Sequence, residues 1–236
     1  MHGRGERPSA LPIYLQISEV LIREIAAGRL VDGSRLPPER ELAKQHGTTV
    51  RTLRKALLEL EKKGLLERIQ GSGNYVRASG EVASVYSMFR LELKSGGGLP
   101  TAEVLSIEEC DKSESFRTFG TSKRGTRIRR LRFLDGQPIA VEEIWLDRDA
   151  GAVDPAQVQD SLYRYYKMKL GFWVTRAEDY VSIGTTPDWA PAGFGKAPDS
   201  PVGYIERLSW AEAPEAVEFS RTWFDTDVAE YVQRLK

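Results

Sequence analysis

The chain has 236 residues, 34 Lys/Arg against 34 Asp/Glu, one cysteine and two histidines, with the composition of an ordinary globular protein long enough for two small domains. Cys110 has no partner for an intrachain disulfide, and His2 and His46 both lie in the first fifth. A His-rich metal site or a Ser-His-Asp triad is therefore excluded from the remainder. The zero net charge hides a split: through Ala78 there are 14 basic against 9 acidic residues, and beyond it 20 against 25. A basic front and an acidic back suit a nucleic-acid head on a body that does not stick to DNA.

Met1 to Arg7 has no apolar stretch behind it, and no run approaches the ~18 residues of a membrane span, so the chain reads as cytoplasmic with no membrane partner. From Ile13, apolar residues Ile13, Ile17, Val20, Leu21 and Ile25 recur at helical spacing behind Pro12, and Gly28 supplies a stop. A second helix starts at Pro37-Pro38-Glu39 and ends near His46-Gly47. Thr48 or Thr49 then caps a third, with the core stripe Val50, Leu53, Leu57 and Leu60, ended by Gly64. Two short helices joined by a glycine turn, with one helix ahead of them, make a helix-turn-helix.

Opposite the third helix's core stripe stand Thr49, Arg51, Thr52, Arg54 and Lys55. Hydroxyls and guanidinium groups there can bond phosphates and base edges, although a solvated helix face has the same composition. The next segment favours DNA. Leu65 to Ile69 and Asn74 to Arg77 read as two strands around Gln70-Gly71-Ser72-Gly73, a hairpin wing with a glycine-rich tip.

Pro12-Ile13-Tyr14-Leu15-Gln16-Ile17, Gly28-Arg29-Leu30, Leu36 to Ala43, Thr52 to Leu57, Gly64-Leu65 and Gln70 to Val76 together resemble the DNA-binding domain of the GntR family of transcription regulators. The resemblance implies a homodimer on a palindromic operator of double-stranded DNA. It implies DNA contacts from Arg40, Thr49, Thr52, Arg54 and Gly71, with Arg51 added because the base-reading arginine is displaced by one. The displacement arises because Val50 stands where the family usually has a basic residue. Ser72 likewise stands where the wing commonly carries Lys or Arg, so the operator sequence is not read from the family pattern.

Residues 79–98 read as a linker, with Ser95-Gly96-Gly97-Gly98 a flexible composition, while Val82 to Leu93 is strand or helix. Beyond it the period changes to alternation. Arg127 to Phe133 and Ile139 to Leu146 form a hairpin around Asp135-Gly136, with Ile128, Arg130 and Arg132 on one face of the first strand. On the second strand Glu142 shares a face with Ala140, Ile144 and Leu146. Asp154-Pro155 opens a helix running to Leu170-Gly171, with Leu162, Tyr165 or Tyr166, and Met168 as core residues. Val202 to Trp210 and Ala216 to Phe224 form a late strand pair. There Glu218, Ser220, Thr222 and Phe224 make a face that is either a wetted surface or the wall of a polar pocket.

Arg130 to Ala140, Ser161-Leu162-Tyr163, Pro201-Val202, Glu206-Arg207 and Val217 to Ser220 resemble the UTRA effector-binding domain of the HutC-type GntR branch, which has a chorismate-lyase-like fold. The fold expected is thus α+β: a winged helix-turn-helix over 9–78, the linker, and over 99–236 an effector domain with a largely antiparallel sheet. The resemblance implies that Arg130, Arg132 and Ser161 hold an anionic group, with Ser87 near a phosphate-binding hydroxyl, and that Glu142, Glu218 and Tyr163 face the rest of the ligand. From the residues alone, Arg130 and Arg132 either grip an anion or pair with sheet neighbours such as Glu142. The stretch Gly184 to Ser200 departs from the helical segment usual in the family.

The function expected is a ligand-responsive regulator, a repressor modulated by a small anionic metabolite such as a sugar phosphate or organic acid. No cofactor, metal or catalytic residue is expected. The competing readings are a chorismate-lyase-like enzyme and an architectural DNA binder without an effector.

Overall fold

The computed structural model describes residues 12–26, 28–77, 88–96, 98–158 and 161–234. The chain divides into two compact units: one runs to Arg90 and takes in the chain from Tyr231, and the other spans Leu91–Glu230.

The first unit holds three helices: α1 (Ile13–Ala26), α2 (Glu39–Gln45) and α3 (Val50–Lys62). Thr49 is the cap of α3, its Oγ1 accepting the Thr52 amide at 3.2 Å, which satisfies a donor the helix itself leaves unpaired. Gly47, with φ +56°, makes the tight turn between α2 and α3, a conformation that costs glycine little. Leu53, Ala56, Leu57 and Leu60 bury one face of α3 against Ile17, Leu21, Ile22 and Ile25 of α1. Ile22 takes the core position expected for Val20, and Ile13, in the first turn, is 60% exposed. The stripe that faces α3 thus runs from Ile17 at spacings of four, one and three rather than starting at Ile13.

The wing pairs β1 (Leu66–Ile69) antiparallel with β2 (Gly73–Val76), and Arg35 bridges to Tyr75 on the other side of β2. Leu66 and Val76 plug the hairpin into the helical core.

The second unit is built on a six-stranded sheet. Its strands are β4 (Pro100–Asp111), β5 (Arg124–Leu134), β6 (Gln137–Asp147), β7 (Arg176–Thr185), β8 (Pro201–Trp210) and β9 (Glu218–Phe224), after a short β3 (Leu91–Leu93). The order is β4-β5-β6-β9-β8-β7, antiparallel throughout. β3 lies inside the stretch that reads as linker and pairs with the terminal β10 (Ala229–Tyr231). All three of its residues are buried, and this part of the stretch belongs to the second unit. The period-2 reading holds on β5 and β6: Ile128, Ile144 and Leu146 pack on one face, and Leu131, Val141 and Trp145 on the other.

The single helix expected from Asp154 to Leu170 is broken. Asp154 caps only the 3-10 turn Pro155–Gln157, Val158 is extended, and Ser161 restarts the chain as α4 (Leu162–Tyr165), which widens into a π turn over Tyr166–Leu170. The wider turn rotates the side chains by about one position, so Tyr165 and Tyr166 both point into the core and Met168 is 67% exposed, not a core residue. The stretch after β7 is a loop with a 3-10 turn at Ala192–Phe194. Trp189 and Phe194 pack against Leu131, Val141 and Trp223, so the loop covers the sheet face opposite Arg130 and Arg132.

Candidate DNA-reading surface and effector site

In the first unit, Arg40, Thr49, Arg51 and Arg54 are exposed and Thr52 is half-buried. Arg51 and Arg54 lie one turn apart on the outer face of α3, with Lys55 beside them. Thr49 and Thr52 face each other, hydroxyl to hydroxyl, at 3.0 Å. Gly71, with φ +76°, is exposed at the wing tip with open space where a side chain would sit. Arg54 carries an ion pair that the sequence did not signal, its Nε donating to Glu39 at 2.6 Å.

In the second unit, the pairing of β5 with β6 sets Arg130 opposite Glu142. Arg130 donates to Glu142 Oε2 at 2.6 Å, and Arg132 reaches the same oxygen at 3.5 Å. All three are at least nine-tenths buried. Burial alone would raise the Glu142 carboxyl, but Arg132 and Arg130 hold it below the usual carboxylate range. Of the two sequence alternatives for the arginines, the structure shows the pairing with the sheet neighbour Glu142.

Glu218 is 2% exposed at the start of β9. Tyr166 donates to one of its oxygens at 2.7 Å, and Tyr163 and Ser209 donate to the other at 3.1 and 3.0 Å. Burial pushes the Glu218 carboxyl up despite these donors, and burial with the neighbouring Glu218 charge pushes both tyrosine hydroxyls up. Because Glu218 and Ser220 are buried, this face of β9 is a polar wall and not a wetted surface.

Arg207, on β8, extends the network. It makes a two-pronged pair with Asp179 of β7 at 2.5 and 2.7 Å, and its charge reaches Glu142, Glu218 and Tyr163. Among the expected effector residues, Arg130, Arg132, Glu142 and Glu218 therefore share one sheet face, and Tyr163 reaches Glu218 from α4. Ser161 is buried, but its hydroxyl accepts the Arg164 amide at 3.3 Å as the cap of α4. Ser87 lies outside the described residues.

Arg207, Asp179, Ser209 and Tyr166 were missed as site residues. Alternation along β8 puts Arg207 and Ser209 on one face, a signal present in the sequence, but β7 and the π turn gave none. A cleft of about 660 Å³ at the other end of the α4 helix, lined by Asp149, Lys167, Phe172 and Trp173 among others, contains none of the expected effector residues.

The opposite sheet face carries its own charge row. Arg129, Glu143, Arg221 and Glu206 stand directly abreast on β5, β6, β9 and β8. Glu143 accepts from Arg129 at 2.8 Å, from the Trp145 indole at 3.1 Å and from Arg221. Burial would raise it, but these donors hold the carboxyl low. The row separates two apolar clusters, and Glu206 at its end pairs with Arg117.

No helix among the described residues is long and apolar enough to cross a membrane. Residues 13–76 match the family model described as bacterial regulatory proteins, gntR family, and residues 95–230 match the UTRA domain. The HTH-type transcriptional regulator SmoD of Agrobacterium fabrum is 51% identical over 228 residues, covering 96% of this chain and 97% of that protein. The HTH-type transcriptional repressor NagR of Bacillus subtilis is 28% identical over 240 residues, covering 97% and 98%. Among solved structures, PhnF from Mycobacterium smegmatis superposes with a TM-score of 0.51 at 20% identity, covering 93% of this chain and 99% of that one, a likeness of fold.

Proposed function

This chain belongs to the GntR family of bacterial regulatory proteins, in the branch that carries a UTRA domain, and from that premise we propose that it is a homodimeric repressor released from a palindromic operator by a small anionic metabolite. It is a DNA-binding transcription regulator, as its relatives are, and not an enzyme.

The observation that carries the effector class is the sharing of Glu142 by Arg130 and Arg132 on a buried face. Arg130 and Arg132 set two planar guanidinium groups side by side on one buried face, and a phosphate, carboxylate or phosphonate matches their donor geometry. The hydroxyls of Tyr163, Tyr166 and Ser209, gathered on Glu218, suit the polar remainder of a metabolite such as a sugar phosphate or organic acid. Ser87 and Ser161 belong to the same proposed site.

On the DNA side, Arg40, Thr49, Arg51, Thr52, Arg54 and Gly71 are the proposed contacts. Arginines on α3 read guanine edges or phosphates, and the bare glycine lets the wing backbone approach. Effector binding shifts the population between placements of the two heads and so changes their fit to half-sites roughly 34 Å apart.

Two measurements test the proposal. Purified protein is titrated with a duplex from its own promoter region and with a scrambled duplex at several salt concentrations. Sequence-preferring, salt-dependent binding supports it; indifference to sequence sinks the operator reading. A thermal-shift screen of phosphorylated sugars, carboxylic acids and phosphonates then finds the effector class, and a compound that raises the melting temperature counts against an effector-independent architectural role. A screen in which only neutral ligands bind overturns the anion.

A further inference from the structure

We infer that Arg68, on the first strand of the wing, is a DNA-contacting residue that supplies the cation missing from the wing tip, and that Glu39 positions it. The inference rests on reading α3 as the DNA-reading helix. The tip, Gln70-Gly71-Ser72, carries no Lys or Arg. Two positions before Gln70, Arg68 stands opposite the buried Asn74, and its Nε donates to Asn74 Oδ1 at 3.3 Å. Its terminal nitrogen reaches Glu39 Oε1 at 3.4 Å, while the other Glu39 oxygen takes the Arg54 Nε at 2.6 Å.

Glu39 opens α2 and therefore holds one cation from the recognition helix and one from the wing, fixing the distance between them. The surroundings place Arg68 on the DNA-facing side. With Arg51, Arg54, Lys55 and Leu58 it lines the groove along the outer face of α3. With Arg35, Glu39, Arg54 and Gly71 it lines a second cleft of about 350 Å³ that continues to the wing tip. The Arg68 side chain remains 46% exposed and that of Arg54 63% exposed. One carboxylate shared by two guanidinium groups leaves a net positive charge, and the remaining N–H groups can bond a phosphate. A wing that lacks a tip cation thus retains one at its root, next to the helix that reads the bases.

The test compares full-length wild type with Arg68→Ala, Arg77→Ala, Arg51→Ala and Glu39→Gln, each checked for an intact melting transition. Binding to the promoter-region duplex and to its scrambled counterpart is followed by fluorescence anisotropy across a salt series. Arg68→Ala is expected to weaken binding to both duplexes and to make the slope of log K against log salt shallower by roughly 1 per head. Arg77, paired with Glu67 instead, is expected to leave the slope unchanged. Glu39→Gln is expected to tighten binding to the scrambled duplex and to reduce the preference for the promoter duplex, because the two arginines lose their common anchor. A normal slope in a folded Arg68→Ala, with Arg51→Ala shallower, overturns the inference and leaves Arg68 as a wing staple. Normal slopes in both overturn the DNA-reading assignment of α3 itself. An unchanged preference in Glu39→Gln removes Glu39 from the positioning role.

Discussion

Tyr166 donates a 2.7 Å hydrogen bond to Glu218, joining the π turn after α4 to the start of β9 across 52 residues of sequence. The contact is buried, and the carboxylate it serves is held above its ordinary value by burial. The folded state therefore binds the Glu218 proton more tightly than the unfolded chain, whose value is near 4.5. Stability from this group is greatest below the unfolded value and is lost as pH rises through the folded one. Glu218→Gln removes the effect. Urea midpoints of wild type and variant, compared from about pH 4 to about pH 8, should show the wild type losing ground as pH rises. A difference that is flat with pH would refute the shift.

Glu142 has the opposite sign. Its folded value lies below the unfolded one because Arg132 and Arg130 overcome the cost of burial. Its contribution is present above about pH 4.5 and is lost as pH falls through the folded value. Glu142→Ala leaves two buried guanidinium groups without their shared carboxylate, and breaking a buried pair in this way costs about 3–5 kcal/mol. Added sulfate should raise the melting temperature of this variant more than that of wild type, since an anion can take the empty place. An equal rise in both proteins would separate the arginines from anion binding.

Arg132→Met and Arg129→Met distinguish the two sheet faces. For whichever compound raises the wild-type melting temperature, Arg132→Met should abolish the rise. Arg129→Met, in the charge row on the other face, should keep it. Loss of the rise in Arg129→Met alone would move the effector to the opposite face.

Thr49 caps α3 and is also one of the proposed DNA contacts. Thr49→Ala removes the cap on the Thr52 amide and should cost about 1 kcal/mol of stability by denaturant titration, whereas Thr49→Ser should keep most of it. If Thr49→Ala unfolds at the wild-type midpoint, the cap contributes nothing in this context.

The sequence by itself determined the winged head almost completely, because its information is local. The stripe Leu53, Leu57 and Leu60, a threonine cap at Thr48 or Thr49, the Gly47 turn and the strands around Gly71 each follow from neighbours within one or two turns, and the structure gives the cap to Thr49. Alternation likewise placed Arg130 and Arg132 together on one face of β5 and Glu142 on one face of β6. What local pattern could not supply was registry between distant strands. Only the tertiary structure decided that Arg130 and Arg132 share a single carboxylate, that Asp179 of β7 holds Arg207, and that Tyr163 and Tyr166 both turn their hydroxyls to Glu218. The break at Val158 and the π turn belong here too, since packing, not propensity, brought both Tyr165 and Tyr166 into the core. A one-residue change in strand register or helix phase would turn each of these groups to the other face, and that choice is made by burial across the whole sheet.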